Sequence, residues 1–200
     1  HPMDALQAAV AALGMFYPGR NVKDVANNYW SAVRLVAKLP TIVAAWARIR
    51  HGDDYIPPRD DLGLSENFLY MLTESPPLPI WSEVFDDCLI LHAEHTMNAS
   101  TFAGREVAST HAHLYASIVA AIGALSGEIH GGANSEVMKM LVEVGEVNRV
   151  KPWVSEKLRK GGKVMGMGHA VYHTEDPRAS ILRGICSRLA DRTGNRKWFD

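Results

Sequence analysis

The stretch His111-Ala112-His113-Leu114-Tyr115-Ala116-Ser117-Ile118-Val119-Ala120-Ala121-Ile122-Gly123-Ala124-Leu125 decides the fold class. It has no period-two alternation, and it carries small side chains at Ala116, Ser117, Ala120, Ala121, Gly123 and Ala124. Ser109-Thr110 supplies hydroxyls suited to cap a helix over His111 to Leu125, which Gly127 closes. Small residues let another backbone approach closely, so this helix is either central and sandwiched or part of a subunit contact. Its apolar run, Leu114 to Leu125, is shorter than the ~20 residues a bilayer demands.

Helical periodicity extends in both directions. Leu6, Ala9, Val10 and Leu13 repeat at three- and four-residue spacing behind Pro2 and Asp4, up to Gly14. A second helix is predicted from about Val22 to Arg50, with Pro40 kinking or splitting it. Residues 51–64 read as loop, Ser65-Glu66-Asn67 opens a short helix, and Pro76-Pro77-Leu78-Pro79 stops it. Trp81 to about His95 follows with Val84, Cys88 and Leu91 on one face, and Asn98 and Ser100 have the chemistry of a helix start. Beyond Gly127, helices are predicted over Ala133 to Val144, over Pro152 to Lys160 with Pro152 in the first turn, and over Arg178 to about Arg192. The class is all-α.

Of the 200 residues, 47% are hydrophobic and 22% charged, enough apolar material for a substantial core. Lysine plus arginine number 21 against 22 acidic residues, so no basic field exists to hold a nucleic-acid backbone. No signal-peptide pattern or membrane span is found. Cys88 and Cys186 lie in apolar helical patterns and read as buried thiols of a reducing compartment. A cytoplasmic protein is expected, with neither membrane nor nucleic acid as partner. The chain opens at His1-Pro2-Met3 without an initiator methionine, and is expected to be an internal piece of a longer protein.

Three stretches can carry chemistry. In Glu128-Ile129-His130-Gly131-Gly132-Ala133-Asn134, a histidine precedes two glycines and a helix. Unpaired NH groups at a helix start disfavour a positive imidazole, and a neutral one can donate to a carbonyl oxygen as an enolate forms. The same residues also fit a plain turn before a helix. In Gly166-Met167-Gly168-His169-Ala170-Val171-Tyr172-His173, with Asp176-Pro177-Arg178, a glycine loop can offer backbone groups to a ligand. There His169 can donate a proton and Arg178 can grip a carboxylate, while an ordinary turn between helices remains open. The loop is neither a phosphate-binding P-loop nor a dinucleotide fingerprint, since Val164 follows Lys163 and no strand leads in. In Leu91-His92-Ala93-Glu94-His95, two histidines three apart invite a metal, but the zincin order is absent and no metal is expected.

Taken together and in order, these stretches resemble the citrate synthase family: His1-Pro2-Met3, then His92-Ala93-Glu94-His95 with Asn98-Ala99-Ser100-Thr101, then His130-Gly131-Gly132-Ala133-Asn134, then Gly166 to Tyr172 with Asp176-Pro177-Arg178. The resemblance covers the whole chain and the middle of a family member. It implies a multihelical homodimer with a large and a small domain, here residues 1–130 and part of the small domain over 131–200, and helices around 65 to 125 as dimer candidates. It implies acetyl-CoA and oxaloacetate as substrates, citrate and CoA as products, and no cofactor. By the same resemblance His130 polarises the acetyl thioester and His169 protonates the oxaloacetate ketone. His95 and Arg178 hold the carboxylates, Asn98 and Ser100 brace the site, and Val164, Met165, Gly166, Met167 and Gly168 meet the CoA adenine. Two departures follow. His173 stands where the family often carries a basic residue, which weakens a contact to CoA phosphate. The family's catalytic aspartate, in an Asp-Phe-Tyr-type run, has no counterpart here, since Asp191 and Asp200 have other surroundings. The 200 residues alone are therefore expected to be inactive. Propionyl-CoA as substrate (a 2-methylcitrate synthase) is the near alternative, and a non-catalytic helical interaction module or a zinc-dependent hydrolase the more distant ones.

Overall fold

The computed structural model describes residues 1–17, 21–94, 96–168 and 173–199. Among them stand nine helices and no strand. The chain divides into two compact units, His1–Ser126 and Gly127–Asp200.

The first unit holds α1 (Pro2–Phe16), α2 (Val25–Ile49), α3 (Leu64–Thr73), α4 (Pro79–His92), α5 (Ala99–Ser109) and α6 (Leu114–Leu125). The small-residue helix α6 packs against α1, α2 and α5. Its small residues make this possible. A side chain at Gly104 of α5 would meet the Ser117 carbonyl at 3.4 Å and the Ala121 Cβ at 3.5 Å, so the two backbones lie close. The core is Val10, Leu35, Tyr115 and Ile122, with Val10 and Tyr115 almost wholly shielded. Burying such a side chain contributes roughly 1.5–3 kcal/mol. Tyr17 stacks on Tyr115 at 6.1 Å, and the Gln7 amide of α1 donates to the Val119 carbonyl across the α1–α6 contact. Further along, Phe68 stacks on Phe85 at 4.9 Å and Ser65 Oγ donates to Asp86, tying α3 to α4.

Several boundaries differ from expectation for local reasons. Pro40 does not split α2, which runs as one helix to Ile49. Pro79 starts α4 instead of ending the preceding stop, because proline at a first helical position gives up no needed N–H. That helix ends at His92, short of His95. Ser109 and Thr110 do not cap α6. Their hydroxyls donate back to the Glu106 and Val107 carbonyls, finishing α5, while His113 Nδ1 accepts from Ala116 N as the true cap.

The second unit holds α7 (Ala133–Val144), α8 (Val147–Arg159) and α9 (Pro177–Thr193), with α7 packed on α8. Pro152 is inside α8, not at its start. The helix begins at Val147, and the proline deletes one hydrogen bond, to the Asn148 carbonyl in the first turn. Cys88 is half-buried, whereas Cys186 on α9 is exposed, so the second cysteine is not the buried thiol expected. No helix among the described residues is long and apolar enough to cross a membrane.

Candidate functional site

In the first unit, Asn98 is the N-cap of α5. Its Oδ1 accepts from Thr101 N at 2.8 Å and from Ser100 Oγ at 2.8 Å, so the two expected bracing residues are hydrogen-bonded to each other. His92 faces back along α4, its Nδ1 2.6 Å from the Cys88 carbonyl. His95 lies outside the described residues. Beside it the chain turns sharply, with Thr96 in the left-handed region at φ 57 and Thr96 N donating to the Glu94 carboxylate at 2.5 Å.

In the second unit, His130 is half-buried on a turn in which both His130 N and Gly131 N donate to the Gly127 carbonyl at 3.0 Å. It stands two residues ahead of Gly132, the N-cap of α7, which has no side-chain cap. The turn is tight, and a Cβ on Gly132 would sit 2.5 Å from the Glu128 carbonyl oxygen. His130 thus lies just ahead of α7 in the chain.

The Val164 to Gly168 loop is a turn closed by Met167 N donating to the Val164 carbonyl at 3.3 Å. Gly166 and Gly168 take φ 82 and 83, which side-chain-bearing residues rarely adopt. At Gly166 the loop lies against α7, where an added Cβ would come 3.3 Å from Val137 Cγ2. Val164 and Met165 are half-buried, and Met167 is exposed. His169 falls outside the described residues, and His173 is exposed.

Arg178 is the second residue of α9 and shares its guanidinium with Asp176. Nε stands 3.0 Å from Oδ1 and Nη2 2.7 Å from Oδ2, with both side chains about a quarter exposed. Asp176 also caps the helix, accepting from Arg178 N at 2.9 Å. One carboxylate therefore fixes both the helix start and the arginine on it. Sequence reasoning gave a role to Arg178 and none to Asp176, although aspartate followed by proline is a legible N-cap signal. Among the described residues no group of three His, Cys, Asp or Glu side chains is placed to hold a metal.

The fold is that of an all-α protein whose structural neighbours are citrate synthases; that from Pyrobaculum aerophilum superposes with a TM-score of 0.87 at 42% identity, over 98% of this chain and 52% of that one. The family model for the citrate synthase C-terminal domain matches residues 1–200, and the chain belongs to that family. A citrate synthase of Synechocystis is 50% identical over the whole chain, which covers 50% of it. A 2-methylcitrate synthase of Mycobacterium tuberculosis is 40% identical over the same 200 residues and again half covered. The chain spans about half the length of these relatives.

Proposed function

We propose that the full-length protein condenses acetyl-CoA with oxaloacetate and water to give citrate and CoA. Family membership across every residue, with the four motifs in family order, is the observation that carries this reading. A base removes a methyl proton from acetyl-CoA, and His130, as a neutral donor, hydrogen-bonds the thioester oxygen where the enolate charge gathers. The methyl carbon then bonds to the ketone carbon of oxaloacetate, whose oxygen takes a proton from His169. Arg178 and His95 hold the carboxylates meanwhile. Asn98 and Ser100 brace the surroundings of His130, and the Val164 to Gly168 backbone receives the CoA adenine. Water finally cleaves the citryl thioester, releasing citrate and the CoA thiol. No cofactor enters beyond the acyl-CoA substrate.

The base is the aspartate of an Asp-Phe-Tyr-type run, which these 200 residues do not contain. The 200-residue polypeptide by itself is accordingly expected to give no turnover. We place the protein in the cytoplasm and read it as a homodimer. For the dimer, the helices around 65 to 125, α6 with its small residues especially, are the candidates, and α2 offers further apolar surface. Val25, Tyr29, Val33, Val36 and Val43 of α2 are exposed, beside the face that carries Leu35 and Leu39.

The test is oxaloacetate-dependent thiol release by the full-length protein, and by its His130→Ala and His169→Ala variants. The parent is expected to turn over, and each variant to fall by at least about a hundredfold. Variants as active as the parent would remove these histidines from the reaction. The kinship to a 2-methylcitrate synthase supports a second reading, with propionyl-CoA as substrate. One extra methylene is worth only ~1–3 kcal/mol in a pocket, so parallel rates with both thioesters decide between them.

A further inference from the structure

Two parts of the proposed acetyl-CoA site meet on one helix. The turn that carries His130 runs straight into α7, where Glu136 N donates to the Gly132 carbonyl at 3.2 Å. The next residue along, Val137, lies against the Val164 to Gly168 loop, its Cγ2 3.3 Å from where a Cβ on Gly166 would stand. That methyl therefore faces the bare Cα of Gly166, with little space for a side chain between them. All of these residues belong to the unit Gly127–Asp200.

The loop needs such a support. Among the described residues one backbone hydrogen bond closes its turn, from Met167 N to the Val164 carbonyl, and at 3.3 Å it is at the long end for a bond of this kind. Gly166 and Gly168 take φ 82 and 83, and glycine has more conformational freedom to lose on folding than any other residue. Neither has a side chain with which to anchor itself. Val137 supplies the anchor from outside. It is half-buried, and a β-branched side chain in a helix keeps one strongly preferred rotamer, so its methyls form a fixed surface.

We propose that Val137 is a positioning residue for acetyl-CoA: it holds the Gly166 turn against α7 and so ties the adenine-receiving loop to the helix that follows His130. The inference rests on the reading of that loop given under the proposed function. Groups for the nucleotide end and for the thioester end of one substrate are then set on a single helix. A loop released from Val137 spends part of its time in other conformations, and CoA affinity falls with the fraction that remains competent. A thioester without the nucleotide does not sense the loop.

The test compares acetyl-CoA with S-acetylpantetheine, the same thioester lacking the nucleotide, as substrates of the full-length protein with oxaloacetate. Val137→Ala is expected to lower kcat/KM for acetyl-CoA about three- to tenfold, through KM. The values for S-acetylpantetheine and the KM for oxaloacetate should stay parental, which also shows that the variant is folded. Val137→Thr keeps the branched shape, and its hydroxyl can bond the carbonyl four residues back, so it should restore acetyl-CoA to within about twofold of the parent. Gly168→Ala strains the loop backbone without crowding any described neighbour, and should lower the preference for acetyl-CoA by itself. A preference lowered by Gly168→Ala but not by Val137→Ala would overturn the role of Val137 and leave the loop reading standing. A preference unaltered by either variant would remove the loop reading and the proposal with it. Equal losses on both thioesters in Val137→Ala would make this side chain a general support of the unit, and would overturn the proposal as well.

Discussion

Replacing Asp176 separates two roles carried by one carboxylate. As N-cap of α9 it accepts from Arg178 N at 2.9 Å, and losing a cap of this kind costs about 1 kcal/mol. As partner of the guanidinium it accepts from Nε at 3.0 Å and Nη2 at 2.7 Å. Charge-assisted bonds are worth ~1.5–3 kcal/mol when well shielded. With 26% and 25% of the two side chains exposed, solvent screening reduces this, to about 1–2 kcal/mol. Asp176→Ala removes both contributions and is expected to destabilise by about 2–3 kcal/mol in urea unfolding of the full-length protein. Asp176→Asn keeps a capping oxygen and loses the charge, so it is expected to lose about 1 kcal/mol. Because Arg178 is the proposed carboxylate anchor, Asp176→Asn should also raise the oxaloacetate KM more than it lowers kcat, the mark of a positioning residue. Equal destabilisation by the two variants would refute the capping role. An asparagine variant with parental stability and parental KM would refute the clamp.

Three further outcomes follow from single residues. Asn98→Ala removes the acceptor of Thr101 N and Ser100 Oγ and should cost about 1 kcal/mol, largely restored by Asn98→Asp, as read by thermal unfolding. Gly184 lies inside α9 with nothing within 4 Å of an added Cβ, so Gly184→Ala should stabilise by up to about 1 kcal/mol in the same assay. Arg59 hydrogen-bonds Asp61 at 2.6 and 2.9 Å and holds its carboxyl below the usual range. The pair's support is therefore present above the ordinary carboxylate pKa and lost as pH falls through the lowered one; carboxyl NMR titration of Asp61 should place its midpoint below the ordinary aspartate value, and Arg59→Gln should raise it.

The helical class and most of the element order were readable because periodicity and punctuation agreed. Ala133 to Val144, bounded by Gly132 and Gly145, is helical with the limits its pattern predicts. Misreadings arose where one residue type serves opposite ends of a helix. Hydroxyls at Ser109 and Thr110 can cap the next helix or finish the last, and only the left-handed turn at His111 decides for the latter. Pro152 looked like a start because proline is favoured there, yet early within a helix it forfeits only one bond. The exposure of Cys186 depends on which face of α9 is covered, a tertiary matter invisible to a local pattern. Of the site, the sequence singled out Arg178 as a candidate, but not that Asp176 already grips it, since that contact depends on side-chain rotamers.

Condensation itself is tested most directly by carbon-13 NMR of the full-length protein turning over acetyl-CoA labelled at the methyl carbon, with unlabelled oxaloacetate. The label is expected in a methylene of citrate, released together with an equal amount of CoA thiol. Label recovered as free acetate, or thiol release indifferent to oxaloacetate, would mean that the protein makes no carbon–carbon bond and would contradict the account.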